Sequence, residues 1–243
     1  MRDTAVFMPA IPFRFPGIEK VSCLFSTAHA GDMSRGGDDA GRLAANRNRT
    51  EFMRRAGFSR WAEVRQVHGD ALVRATGSDN PDEEPGVEAD GQFTVEKGVG
   101  VVIKSADCQP VLIARRDGGA AAGLHVGWRG NAADFIATAM RRLCREFSCR
   151  PDDLAAVRGP SLGPAASEFV NFHAEWPKEF EPWYNPGDKT VNLWALTRAQ
   201  LERAGVRPER IYSLDLCTRD MGDVFFSYRR KEAGRQVSVI WLE

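Results

Sequence analysis

The chain has no excess charge of either sign and no long apolar run. Its 243 residues include 33 Lys and Arg against 33 Asp and Glu, so the formal net charge is zero at pH 7. A protein without a global field is not drawn to nucleic acid or to an anionic membrane, and we expect neither partner. No run approaches 18 consecutive apolar residues, so the sequence predicts no transmembrane helix.

Signals for export and for a disulfide framework are also missing. The apolar stretch within residues 1–13 is interrupted by Pro9 and Pro12 and has no signal-peptide core. The five cysteines are an odd number in a mid-sized chain, which makes reduced thiols the default. We therefore expect a cytoplasmic protein in which a functional cysteine acts as a thiolate.

Alternation of short apolar runs with segments of helical period predicts a mixed α/β fold, a mixed sheet with helices, in a single domain over residues 1–243. Three strand candidates between Val99 and Leu124 are too close for crossover helices, so hairpins are expected and an all-parallel doubly wound sheet is disfavoured. The acidic, proline-containing segment Gly77–Gly91 reads as a solvated, mobile loop. The predicted strands are Val21–Ser26, Ala71–Ala75, Val99–Lys104, Val111–Ala114, Ala120–Leu124, Leu154–Val157 and Val237–Trp241.

Three segments show helical spacing of their apolar residues. They are Leu43–Arg55, Ala132–Leu143 and Leu193–Ala204. The third has the clearest ends, because Asn192 is a good N-cap and Gly205 stands where a left-handed residue is usually required.

Metal-ligand side chains concentrate in three short stretches, each directly after a strand candidate and beside Gly or Pro. We expect His68, Cys108 and His125 on turns at one sheet edge. Two imidazoles and a thiolate suit Zn²⁺, and three protein ligands with a fourth position open are typical of a catalytic site. The alternative is that the cysteine is a small buried hydrophobe and each histidine a hydrogen-bonding residue.

Two further motifs suggest ligand binding. Gly127 and Gly130 around Trp128 and Arg129 indicate backbone kept clear for an anion, with Arg129 as its counter-ion; the alternative is a tight turn with Trp128 packed on a helix. In Phe225–Arg230, Tyr228 and Arg229 suit stacking on a flat ring such as a nucleobase, and the alternative is a strand with one basic face.

Six motifs occur in order over nearly the whole chain. They are Gln-Val-His-Gly at 66–69, Ala-Asp-Cys-Gln-Pro-Val at 106–111, His-Val-Gly-Trp-Arg-Gly at 125–130, Gly-Pro-Ser-Leu-Gly-Pro at 159–164, Leu-Trp-Ala-Leu at 193–196 and Phe-Phe-Ser-Tyr-Arg-Arg at 225–230. Together they resemble the YfiH-like family, whose members carry the labels multicopper polyphenol oxidase (laccase), peptidoglycan editing factor and purine nucleoside phosphorylase with adenosine deaminase activity.

The resemblance implies a fold related to cysteine hydrolases of the cytotoxic necrotising factor type, with His68, Cys108 and His125 holding zinc, and copper less favoured. It implies a zinc-dependent enzyme that acts on purine nucleosides and phosphate. Candidates for holding the phosphate are Arg129 and His29. Candidates for proton transfer in deamination are Asp90 and Asp107.

The chain departs from the family pattern in three places. Ala28 stands where the family usually has an arginine, Ala165–Glu168 replaces a stretch with Cys and Tyr, and Asn192 stands where Asp is common. The first change removes a cation suited to phosphate.

Two rival functions remain. The first is a metal-independent hydrolase of a peptidoglycan precursor, with Cys108 as nucleophile and His125 as its base. The second is a copper-dependent polyphenol oxidase, for which the four histidines His29, His68, His125 and His173 are too few to hold four copper centres.

Overall fold

The computed structural model describes residues 9–243. Residues 1–8, part of the segment inspected for a signal peptide, lie outside them. Within the described residues, the strands are β1 (Ala10–Phe13), β2 (Val21–Ser26), β3 (Arg60–Ala62), β4 (Leu72–Arg74), β5 (Gly91–Thr94), β6 (Val99–Ser105), β7 (Gln109–Arg115), β8 (Ala121–Val126), β9 (Leu154–Arg158), β10 (Tyr184–Asn185), β11 (Thr190–Val191), β12 (Ile211–Ser213) and β13 (Gln236–Leu242). The α-helices there are α1 (Asp39–Ala56), α2 (Trp128–Ala132), α3 (Phe135–Glu146), α4 (Phe172–Glu175) and α5 (Leu193–Arg203).

Two mixed sheets form the framework. One has five strands in the order β1-β2-β13-β6-β3, and the other has six in the order β12-β9-β7-β8-β5-β4. Most neighbours are antiparallel; β3 and β6, β4 and β5, and β12 and β9 are parallel. The mixed α/β prediction is confirmed, as is the absence of an all-parallel sheet.

The sheets pack face to face, with helices outside them. Residues of both sheets share one buried cluster, in which Val101 and Ile240 of the first meet Leu112 and Val157 of the second. Gly123 on β8 permits this approach, because a Cβ there would lie 3.0 Å from Ile103 Cγ1. A second cluster packs α3 and α5 on the six-stranded sheet, and a third packs α1 on the five-stranded sheet.

Two sequence expectations about element order are wrong in detail. β7 and β8 do form a hairpin, but β6 belongs to the other sheet, so the turn between β6 and β7 crosses from sheet to sheet. The predicted helix Ala132–Leu143 is present as α3 but begins three residues later, at Phe135, because Asp134 takes a left-handed φ of 51° between α2 and α3. The first difference places irregular backbone at the candidate ligand Cys108, which lies in the turn between β6 and β7.

The third predicted helix is confirmed with its signals. The Asn192 side chain accepts a hydrogen bond from Ala195 N at 3.0 Å, and Gly205 has a φ of 95°. Gly77–Gly91 contains no helix or strand before Gly91, as expected. Arg35 Nη2 contacts this loop by donating to Pro81 O and Glu83 O, both at 2.8 Å. Of the helices described, none has the length and apolar character needed to cross a bilayer.

Candidate functional site

His68, Cys108 and His125 meet at one end of the six-stranded sheet. Cys108 lies in the turn between β6 and β7, and His68 lies in the loop between β3 and β4. His68 Nε2 is 3.7 Å from Cys108 Sγ, and one ligand atom from each residue lies within 4.8 Å of the others. The expected convergence is thus present in the structure.

The expected position of His125 on a turn is wrong. His125 is an internal residue of β8, opposite Pro110 of β7, and only 3% of it is exposed. The strand continues through this polar residue because its ring has a buried partner.

That partner is Asp90, which is fully buried just before β5. Its Oδ1 accepts from His125 Nδ1 at 2.7 Å and from His68 N at 3.0 Å, while its Oδ2 accepts from Val67 N at 3.1 Å and from Gly69 N at 2.6 Å. Burial alone would raise the pKa of Asp90, but these hydrogen bonds hold it below its usual value. The carboxylate therefore stays ionised and leaves His125 Nε2 as the ring nitrogen available to the cluster.

Asp90 was a candidate for proton transfer to substrate, and its position argues against that role. All of its oxygens are engaged, and it does not line the neighbouring cavity. It orients the His125 ring through Nδ1 and the His68 loop through three backbone N–H groups.

Cys108 and His125 shift each other's pKa in the directions that favour a thiolate and an imidazolium. Burial alone would raise the pKa of the Cys108 thiol, but the adjacent His125 and His68 outweigh it and bring the pKa to about 6. Burial would lower the pKa of His125, yet the Cys108 thiolate and the Asp90 carboxylate raise it to about 9. A thiolate is therefore available as a ligand or as a nucleophile.

The residues fit a zinc ion. Tetrahedral bonds to one sulfur and one nitrogen imply a separation of about 3.5 Å between those atoms, close to the observed 3.7 Å. Gly127 keeps the space around the ligands clear, since a Cβ there would lie 3.2 Å from Cys108 Sγ and 3.1 Å from His68 Cδ2. His68 itself has a left-handed φ of 60°, a strained conformation of the kind that clusters at functional sites.

The cluster opens into a cavity of about 1040 Å³. Besides the three candidate ligands, its walls include the predicted substrate-binding residues Trp128, Arg129, Tyr228 and Arg229, together with Asp107. His29 is absent from these walls and stands exposed in a short 3-10 helix, Ala28–Ala30, beside the substituted position Ala28. The structure therefore does not bring the second phosphate candidate to the site.

Arg129 is the uncommitted cation of the cavity. Arg35 and Lys104 both pair with Glu63, and Arg65 pairs with Glu88. The Arg229 guanidinium donates to Glu168 O. The Arg235 guanidinium donates to Glu232 O, Ala233 O and Gly234 O. Arg129 is exposed and rests 4.4 Å over the Trp128 ring, with no carboxylate or carbonyl partner among residues 9–243.

Asp107 anchors a wall of the cavity. Its Oδ1 accepts from Thr218 Oγ1 and its Oδ2 from Arg229 N, both at 2.7 Å, and its φ is 88°. Leu162, in the Gly-Pro-Ser-Leu-Gly-Pro motif, donates its N–H to Asp107 O at 2.9 Å and also lines the cavity. Both carboxylate oxygens of Asp107 are engaged, so this residue too is placed to position structure rather than to carry protons.

Aromatic side chains also line the cavity. Trp128 packs against Phe169 and Trp176 with ring centroids 5.8 and 5.6 Å apart, and Tyr228 is 68% exposed. The strand expected as the alternative for Phe225–Arg230 is not observed; Tyr228–Arg230 form a 3-10 helix. Sequence reasoning missed Phe169 because it lies beside the segment that departs from the family motif, with no repeat or spacing to mark it.

Cys144 and Cys149 pack, half-buried, against the core around α3. His173 packs on the rings of Phe172 and Tyr184, at 5.3 and 5.7 Å. Neither feature belongs to the cavity.

The fold and site define a mixed α/β protein with a His-Cys-His cluster at the floor of a cavity. The chain belongs to the YfiH-like family, whose sequence model, described as multi-copper polyphenol oxidoreductase laccase, matches residues 23–243. The purine nucleoside phosphorylase YfiH of Escherichia coli (strain K12) is 34% identical over 189 residues, which cover 75% of this chain and 73% of that protein.

Solved structures agree over nearly the whole chain. A Neisseria meningitidis protein matches with a TM-score of 0.78 and 28% identity, covering 97% of this chain and 99% of its own. YlmD from Geobacillus stearothermophilus matches with a TM-score of 0.80 and 25% identity, covering 94% of each chain. The family resemblance and fold class predicted from the sequence are confirmed.

Proposed function

We propose that this chain is a zinc-dependent purine nucleoside phosphorylase, with adenosine deamination as a second activity of the same cavity. The observation that carries the proposal is the His68, Cys108 and His125 cluster in one cavity with the unpaired cation Arg129. The Escherichia coli relative, which is named as a purine nucleoside phosphorylase, supports the substrate class.

Phosphorolysis breaks the bond between the ribose C1′ and the base nitrogen and forms a bond from C1′ to a phosphate oxygen, while the base takes up a proton. Zinc, when bound, supplies a Lewis acid that polarises an oxygen or nitrogen of the bound reactants. Arg129 provides a cation for the phosphate, and a charged hydrogen bond of this kind fixes the anion as well as binding it. Trp128, Phe169 and Tyr228 offer ring faces and edges for the purine.

The metal content tests the first half of the proposal. Three ligands with one open position predict about one zinc per chain in protein purified without chelators. Elemental analysis measures this, and His68→Ala is expected to lower it. Zinc-free protein that gains no zinc on dialysis would contradict the assignment.

A panel of nucleosides, incubated with and without phosphate and read by chromatography, tests the second half. Free base that appears only with phosphate is expected for phosphorolysis, and inosine formed from adenosine indicates deamination. Arg129→Gln is expected to raise the phosphate concentration needed for half-maximal rate by roughly 10- to 150-fold, the loss of one charge-assisted contact. The matched control is Arg116→Gln, because Arg116 is exposed and lies outside the cavity.

A cysteine hydrolase is the second candidate, favoured by one specific feature. Cys108, His125 and Asp90 stand in the order of a nucleophile, its base and the carboxylate that orients the base. Such an enzyme would keep full activity after removal of zinc, whereas the proposed phosphorylase would lose it.

Copper-dependent phenol oxidation, which the description of the family model names, is not proposed. Within residues 9–243 the cluster at Cys108 is the one group of three or more potential metal ligands, and His29 and His173 lie elsewhere. These ligands do not suffice for several copper centres.

A further inference from the structure

The helix that carries Arg129, α2, is too short to be stable without contacts to the rest of the protein. α2 has five residues, and isolated helices shorter than about 12 residues are marginal in water. Its N-terminal residue Trp128 and its last residue Ala132 pack on an aromatic cluster, and its polar support is Asn131, which is fully buried.

Both polar atoms of the Asn131 amide have hydrogen-bond partners. Its Nδ2 donates to Thr197 Oγ1 at 2.9 Å and to Gln200 Oε1 at 2.7 Å, and its Oδ1 accepts from Gln109 Nε2 at 3.1 Å. Gln200 Nε2 completes the network by donating to the Asn131 backbone oxygen at 2.8 Å. A buried amide with every polar atom engaged has one favourable orientation, so the network fixes the helix in rotation as well as in distance.

These partners connect α2 to the rest of the site. Gln109 directly follows Cys108 and opens β7, while Thr197 and Gln200 belong to α5. Asn131 thus links two elements of the site by a hydrogen bond to Gln109. One is the strand that follows Cys108, and the other is the helix that carries Arg129.

We propose that Asn131 is a positioning residue that sets Arg129 relative to Cys108, and so places the phosphate relative to the nucleoside. The kinetic consequence rests on the proposed phosphorolysis. The physical basis is that small displacements of a reacting group lower rates steeply.

The experiment compares Asn131→Leu and Thr197→Val with the wild type, and uses Thr197→Ser as the conservative variant that keeps the hydroxyl. The KM for phosphate is expected to rise by about 10- to 100-fold in Asn131→Leu and by less, in the same direction, in Thr197→Val. The KM for inosine and the zinc content should stay near wild-type values, and Thr197→Ser should restore the phosphate KM.

Thr94→Val is the matched control. Thr94 is as buried as Thr197, and its hydroxyl accepts from Glu96 N at 3.0 Å, outside the cavity. A purely structural loss should affect the two valine variants alike, whereas positioning changes the phosphate KM only in Thr197→Val.

A second measurement does not depend on turnover. Phenylglyoxal labelling of Arg129, followed by peptide mass spectrometry, should be slowed by inorganic phosphate, and the half-protecting concentration should rise in Asn131→Leu and Thr197→Val. If no nucleoside is cleaved but this shift is seen, the proposed function fails and the positioning role stands. The positioning role is overturned if phosphate does not protect Arg129, or if folded Thr197→Val matches the wild type or Thr94→Val in both measurements.

Discussion

The carboxylate of Asp90 joins two of the three proposed zinc ligands, so Asp90→Asn tests whether the cluster is held together from beneath. The substitution keeps the shape of the side chain but replaces one acceptor oxygen by an NH2 group. In the native protein each oxygen accepts two hydrogen bonds. The asparagine must therefore turn its NH2 towards donors in either orientation.

The two orientations fail in different ways. If the NH2 takes the place of Oδ2, it faces Val67 N and Gly69 N, and both backbone donors lose their partner. Because Val67 is exposed and Gly69 is half-buried, water can replace part of these contacts, and the expected cost in free energy of unfolding is about 1 to 3 kcal/mol. If it takes the place of Oδ1, it faces His68 N and His125 Nδ1. The imidazole must then carry its proton on Nε2, the nitrogen needed by the metal.

Both orientations lower zinc affinity, and loss of such a supporting carboxylate typically costs 10- to 100-fold. Competition with a chromophoric chelator measures the affinity, and urea unfolding measures the stability. Because the pKa of Asp90 is depressed in the folded protein, its contribution is present above the unfolded-state pKa of about 3.9 and is lost as pH falls through the folded pKa. Asp90→Asn should flatten this acid-sensitive part of the stability curve.

The control is Asp70→Asn, because Asp70 is exposed nearby. It should leave zinc affinity and stability unchanged. Wild-type zinc affinity in folded Asp90→Asn protein would refute the view that this carboxylate orients the ligands.

Two other predictions concern the same cluster. Gly127→Ala should reduce zinc affinity, because the new Cβ would crowd Cys108 Sγ and His68 Cδ2. Gly130→Ala is the control and should leave zinc affinity unchanged, because the nearest neighbour of its Cβ would be Phe135 Cβ at 3.7 Å. Equal zinc affinities of the two variants in competition titrations would contradict this prediction. In metal-free protein, the rate at which iodoacetamide labels Cys108 is measured by peptide mass spectrometry. This rate should be high above a midpoint near pH 6 and should fall below it as the thiolate is protonated. His125→Gln should move that midpoint to higher pH. Zinc should slow the labelling, and fast labelling of zinc-replete protein with parallel loss of activity would favour the cysteine hydrolase instead.

Local sequence signals predicted the regular parts of the fold because each depends on near neighbours. The strand Val21–Ser26 agrees with the structure residue for residue, and the cap at Asn192 is in place. The start of α3 at Phe135 rather than Ala132 could not be read in this way, since the apolar spacing continues across Asp134. Pairing of β6 in a different sheet from β7 also depends on distant partners, β13 and β3.

The three proposed ligands could be predicted because thiol and imidazole side chains reveal their chemistry by type alone. The roles of Asp90 and Asp107 could not, because a carboxylate has the same appearance in sequence whether it transfers protons or holds backbone amides. Asp90 is 22 residues from His68 and 35 from His125, and only the folded chain shows that it bonds to both.

The same reasoning explains why the strand prediction stopped at Leu124, one residue before His125. A polar residue in an apolar run indicates the end of a strand when its partner is water, and the continuation of a strand when its partner is buried. Here burial of the Asp90 and His125 pair allows β8 to run on to Val126 and brings the imidazole to the cavity floor on a rigid element. A side chain on a strand is held more precisely than one on a turn, which suits the proposed metal centre, because its third proposed ligand, His68, lies on a strained loop.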